Sequence, residues 1–117
     1  MAGKARRTLK IALHLLEIGA FDDAASRMYY AAFQAAVETL RRQGRSPSDF
    51  RKGAKDWDHE MVGRNAALVR GLAQDGDLLR RLRELRERAD YHERAVMRRD
   101  LEFLRPDVVR FVEEVSP

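Results

Sequence analysis

Apolar positions recur every three or four residues along almost the whole chain, and no stretch alternates apolar with polar over the length of a strand, so the pattern predicts an all-α protein. A first helix is expected over residues 4–18, with Leu9, Ala12, Leu13 and Leu16 on one stripe and Gly19 in the left-handed position that ends it. Asp22 or Asp23 is placed to cap a long second helix reaching residue 43, whose inner face is Ala24, Met28, Ala31, Ala32, Ala35, Ala36 and Leu40. Side chains that small allow other helices to approach closely. Gly44, Ser46, Pro47 and Gly53 interrupt the periodicity, so residues 44–55 read as a basic loop. Asp58 is expected to cap a third helix to residue 72, and Asp75-Gly76-Asp77 to form a turn that starts a fourth. The fourth helix points Leu78, Leu79, Leu82, Leu85 and Ala89 inward. A fifth segment over residues 96–115 carries Leu101, Leu104, Val108, Phe111, Val112 and Val115, with a kink or break expected near residues 104–105 because Pro106 lies inside it. Short connections between long amphipathic helices predict an antiparallel up-and-down bundle of about five helices.

A length of 117 residues suits a single domain spanning 1–117 and excludes a multidomain enzyme. Without cysteine there is no disulfide framework, thiolate metal site or cysteine nucleophile. No charge-free apolar run has the length of a signal peptide or membrane span, so a cytoplasmic protein with no membrane partner is expected. The net charge of +4 becomes informative once located. Residues 80–99 hold eight arginines against Glu84, Glu87, Asp90 and Glu93, which equals the surplus of the whole chain, and residues 41–55 form a second basic block. Such runs read either as a salt-bridged solvated surface or as a phosphate-binding face.

Two constellations could carry chemistry. Tyr29 and Tyr30 sit about 100° apart on a helix, so only one of them can point into a given core, and the other is expected to pack on a loop or a dimer partner. The segment Leu85-Arg86-Glu87-Arg88-Ala89-Asp90-Tyr91-His92-Glu93-Arg94 places a histidine, which titrates near neutral pH, among arginines able to hold a phosphate. Those are the ingredients of RNA cleavage without a metal: a proton acceptor for the 2′-hydroxyl, a proton donor for the leaving oxygen, and cations to stabilise the phosphorane. His14 with Glu17, and Asp56 to Glu60 around His59, fall short of the four convergent ligands a structural metal needs, so no metal or other cofactor is expected.

The run Gly19-Ala20-Phe21-Asp22-Asp23-Ala24-Ala25-Ser26-Arg27-Met28-Tyr29-Tyr30-Ala31-Ala32-Phe33 and the segment Arg86-Glu87-Arg88-Ala89-Asp90-Tyr91 resemble the HEPN domain superfamily in its small stand-alone prokaryotic branch. His59 falls where that branch often has a histidine before its third helix. The resemblance implies a homodimer partnered by a minimal nucleotidyltransferase, the two acting as toxin and antitoxin. It also implies a metal-independent endoribonuclease with an R-x(4–6)-H motif, which Arg86 and His92 fit as catalytic pair. Arg27, Arg83, Arg88, Asp90, Tyr91 and Arg94 are then the expected contacts to RNA or nucleotide. Arg94 stands where some relatives carry a tyrosine that the partner modifies. The alternative is a non-catalytic module that binds a nucleotide or the nucleotidyltransferase.

Overall fold

The computed structural model describes residues 2–70, 73–91 and 95–115. They form an all-α bundle of five helices, α1 (Ala2–Glu17), α2 (Phe21–Arg42), α3 (His59–Arg70), α4 (Ala73–Tyr91) and α5 (Arg98–Val115), with a short 3-10 turn at Pro47–Asp49 and no strand among the described residues.

The alanines of α2 explain its central position. Ala24, Ala25, Ala31, Ala32, Ala35 and Ala36 are all buried, and their short side chains let α1, α4 and α5 pack against one rod. Larger side chains fill the spaces between helices: Leu9 and Leu16 from α1, Leu79 and Leu82 from α4, Leu101, Val108 and Phe111 from α5. The chain reverses between α1 and α2 through Gly19, whose φ of +82° is left-handed. There the Ala20 N–H donates to the Leu15 carbonyl (2.9 Å) and the Gly19 N–H to that of Leu16 (3.2 Å), which satisfies two of the helix's orphan acceptors. Thr8 Oγ1 then bonds Gln34 Oε1 across the pair at 2.7 Å.

Three local expectations give way to the tertiary structure. Asp22 and Asp23 do not cap α2. The chain leaves the Gly19 turn already positioned for helix, Ala20 is the cap without a side-chain bond, and both carboxylates stand in the first turn facing the positive helix end. Asp75-Gly76-Asp77 is not a turn but part of α4: Asp77 is paired inside the helix with Arg80 and Arg81. Gly76 lies against α3, where an added Cβ would stand 3.5 Å from the Gly63 carbonyl. Pro106 does not break α5, which continues from Arg98 to Val115. The buried set Leu101, Leu104, Val108, Phe111 and Val112 on both sides of Pro106 outweighs the roughly 3 kcal/mol that proline costs inside a helix.

Residues 43–58 are folded rather than featureless. Ser46 and Asp49 cap the 3-10 turn reciprocally, and the Phe50 ring packs at a tilt against Trp57 with ring centroids 5.8 Å apart. Trp57 packs against the core and lines one groove with Phe33 and Val37 of α2, so the segment returns along that helix and delivers His59 beside Tyr29. Asp58 then caps α3 as expected, its Oδ1 accepting the Met61 N–H at 2.8 Å. Arg98 covers Phe21 at one end of the α2–α5 contact, and Thr39 and Arg42 donate to the Val115 carbonyl at the other. Among the described residues no helix is long and apolar enough to cross a membrane.

Two substitutions test this packing in urea unfolding. Leu82→Ala, at a fully buried position, is expected to lower stability by about 2–5 kcal/mol. Pro106→Ala is expected to raise it by about 1–2 kcal/mol, because it restores a helix donor while adding only a small unfolded-state entropy penalty. Destabilisation by Pro106→Ala would show that α5 depends on the proline.

Candidate functional site

Tyr29 and Tyr30 diverge as helical geometry requires, but both serve one cluster. Tyr29 is 2% exposed and lies in the core. Tyr30 does not turn to a loop, and its described contact lies within the chain: its hydroxyl accepts a hydrogen bond from Arg86 Nη1 at 2.9 Å. The Arg86 guanidinium carbon stands 5.3 Å from the centroid of the Tyr29 ring and 5.6 Å from that of Tyr30. Two aromatic faces attract a cation through their quadrupoles, and a guanidinium can lie on such faces because it is planar and weakly hydrated. The Arg86 side chain is only 17% exposed, and Asp90 Oδ2 is 3.8 Å from its Nε, near enough to neutralise charge but too far for a hydrogen bond.

His59 completes the cluster from the start of α3. Its ring centroid is 5.3 Å from that of Tyr29, 6.3 Å from Tyr30 and 5.2 Å from Phe33. Its Nδ1 is hydrogen-bonded to the Tyr29 hydroxyl at 2.5 Å. Burial pushes the Tyr29 hydroxyl up to about 12. Burial also lowers the His59 imidazole below its ordinary value, and the cations Arg86 and Arg83 lower it further, against the smaller opposing pull of Asp58 and Glu87. The pair is therefore a protonated phenol beside a neutral imidazole at neutral pH.

A cleft of about 280 Å³ opens beside this pair, between α2, α3 and α4, lined among others by Tyr29, His59, Gly63, Leu79, Arg80 and Arg83. Its walls join an apolar floor to three guanidiniums, those of Arg64, Arg80 and Arg83, with Glu60 as the one carboxylate among the described lining residues, which suits a ligand with a flat apolar part and an anionic part. The Nε groups of Arg83 and Arg86 are buried and make no hydrogen bond among the described residues.

The expected contact residues separate into groups. Arg83 and Arg86 share the face toward Tyr29 and His59. Arg27 lies in a separate open groove with Ser26 and Tyr30. Arg88 is turned away to α5, where it donates to the Ala95 carbonyl at 3.1 Å and Asp100 at 3.4 Å. Asp90 is the acidic neighbour of Arg86. Tyr91 is 73% exposed and lies with Glu84, Glu87 and Arg88, off the cluster. His92 and Arg94 lie outside the described residues.

The arginine surplus of α4 is matched locally. Arg80 pairs with Asp77 and Glu84, Arg81 with Asp77, Arg83 with Glu87, Arg86 with Asp90 and Arg88 with Asp100. Exposed pairs one helical turn apart contribute little, so a phosphate can displace their carboxylates. The residue that sequence reasoning left out of the site is His59. Its one signal was its family position, because the acidic neighbours had suggested only a cap and an incomplete metal site.

The family model for the HEPN domain matches residues 2–116, essentially the whole chain. No curated protein matches the chain.

The depressed His59 gives a stability prediction with a definite sign. The unfolded imidazole takes a proton near 6.5 and the folded one only at lower pH, so this contribution is complete above 6.5 and is lost as pH falls through the folded value. The groups facing it are Tyr29 and Tyr30 of α2, Arg83, Arg86 and Glu87 of α4, and Asp58 beside it. Urea midpoints measured between about pH 7.5 and 5 should fall more steeply in wild type than in His59→Phe. Equal slopes would mean that His59 titrates normally.

Proposed function

Because the chain belongs to the HEPN domain family, we propose that it is a toxin-type, metal-independent endoribonuclease that acts as a homodimer and is held in check by a minimal nucleotidyltransferase antitoxin. The observation that carries this reading is the seat of Arg86. A cation fixed on two tyrosine rings needs little reorganisation when a phosphorane forms, which is the condition for strong electrostatic stabilisation. One of its five N–H donors is used on Tyr30, leaving others for phosphate oxygens.

In the reaction the 2′-hydroxyl loses its proton and attacks the adjacent phosphorus, the P–O5′ bond breaks, and the departing oxygen is protonated. The products are a cyclic phosphate and a free 5′-hydroxyl. Here His92 moves the proton and Arg86 holds charge on the phosphorus-bound oxygens. Arg83, in the cleft beside Tyr29, and Arg27, in the groove with Tyr30, grip flanking phosphates. Asp90 and Tyr91 extend the contact along the end of α4, Arg94 supplies a further cation, and Arg88, held on α5, acts through the shape of that face. The second reading, a non-catalytic module that binds a nucleotide or the nucleotidyltransferase, is favoured by the carboxylate partner beside each described α4 arginine, since such pairs exchange readily for an ionic partner.

The test is cleavage of RNA by the purified protein with a chelator present. Wild type should cut and leave cyclic phosphate ends, while Arg86→Ala and His92→Ala each lose about a hundredfold or more in rate. Tyr30→Phe, which keeps the ring but removes the anchoring hydroxyl, should lose less. Wild-type cleavage rates in both alanine variants would remove the nuclease assignment. A stable complex with a nucleotidyltransferase, together with no cleavage, would establish the second reading.

A further inference from the structure

The buried pair Tyr29–His59 plays no part in the proton transfer assigned above, yet it lines the cleft. The Tyr29 hydroxyl is protonated and lies in a side chain that is 2% exposed, so its hydrogen needs an acceptor. His59 Nδ1 lies at hydrogen-bond distance. If Nδ1 carried the imidazole proton, two hydrogens would compete for one contact and the phenol hydrogen would be left without that acceptor. The consistent arrangement has Tyr29 Oη–H donating to Nδ1 and the imidazole proton on Nε2.

We propose that Tyr29 holds His59 as the Nε2–H tautomer, so that His59 is a neutral hydrogen-bond donor which, together with Arg83, binds a phosphate of single-stranded RNA in the cleft between α2, α3 and α4. The inference rests on the RNA reading for the identity of the phosphate. His59 is then a binding residue and Tyr29 a positioning residue. Three features of the cluster support this division. The flanking cations Arg83 and Arg86 resist protonation of His59, which would put a second proton on the ring and break the bond from Tyr29. The aromatic cage of Tyr29, Tyr30 and Phe33 fixes the plane of the imidazole. Arg83 lines the same cleft, its side chain paired among the described residues with Glu87 at 3.3 Å, a contact that a phosphate can replace. At about 280 Å³ the cleft has room for one nucleotide unit and none for a duplex.

The probe is a short 2′-O-methyl oligoribonucleotide, which lacks the attacking hydroxyl and so reports binding independently of cleavage. Nitrogen-detected NMR of the imidazoles should show His59 Nδ1 unprotonated and Nε2 protonated at neutral pH, and adding the oligonucleotide should shift Nε2–H. His59→Phe, which preserves the ring packing, should weaken binding roughly tenfold, as loss of one hydrogen bond to a charged oxygen predicts. His59→Gln, whose amide can accept from Tyr29 and donate to phosphate, should bind within about threefold of wild type. Tyr29→Phe should produce mixed tautomers and intermediate affinity. Arg83→Gln should reduce the slope of log affinity against log salt by about 0.7, the signature of one phosphate contact on a single strand. A proton on Nδ1 in wild type, wild-type affinity in His59→Phe, or no shift of Nε2–H at saturation would overturn the inference. Binding with these properties but no cleavage of ordinary RNA would instead reject only the nuclease assignment.

Discussion

A guanidinium that is four-fifths buried is the constraint on which the rest of this structure depends. An isolated charge in a protein interior is strongly unfavourable, so Arg86 is tolerable only because the Tyr29 and Tyr30 rings lie against it, the Tyr30 hydroxyl accepts from it and Asp90 stands near its Nε. Cation–ring attraction of about 1–2 kcal/mol per desolvated face is comparable with the net value of a charged hydrogen bond, so losing any one partner leaves a charge poorly compensated. This requirement fixes the rotation of α4 about its axis relative to α2. It also bears on the electrostatics of the neighbouring imidazole, because after burial the charge of Arg86, with that of Arg83, holds His59 below its ordinary value.

Helical geometry then sorts the α4 residues into different tasks. Arg83 and Arg86 are three positions apart and share a face, so both meet the tyrosine cluster. Arg88 is about 200° from Arg86 and is carried round to α5, where Asp100 and the Ala95 carbonyl receive it. Asp90, four positions after Arg86, returns to the same side, while Tyr91 is about 140° away and exposed. A charge run that looks uniform along the chain is thus divided between a ligand face, an interhelical tie and a solvated surface of weak pairs.

The same competition between local signal and packing explains the departures in the fold. Asp22, Asp75 to Asp77 and Pro106 all carry recognisable turn, cap or breaker chemistry. Each was overruled where neighbouring residues gained more by continuing a helix: behind Asp22 by the Gly19 turn, at Gly76 by close approach to Gly63, and at Pro106 by five buried side chains. Asp58 and Gly19 kept their local roles because nothing in the packing opposed them.

The all-α character, the apolar faces, the alanine-lined second helix and the importance of Tyr29, Tyr30 and Arg86 follow from residue order alone, because helical periodicity and short-range spacing are local properties. The meeting of those residues is not local. Tyr29 and His59 are thirty residues apart, and Tyr30 and Arg86 fifty-six, so their contact depends on how residues 43–58 return along α2 and on the angle at which α4 crosses it. Protonation follows the same division. The chain specifies a histidine and two arginines, but only the folded arrangement decides that burial and repulsion outweigh the nearby carboxylates and keep that histidine neutral.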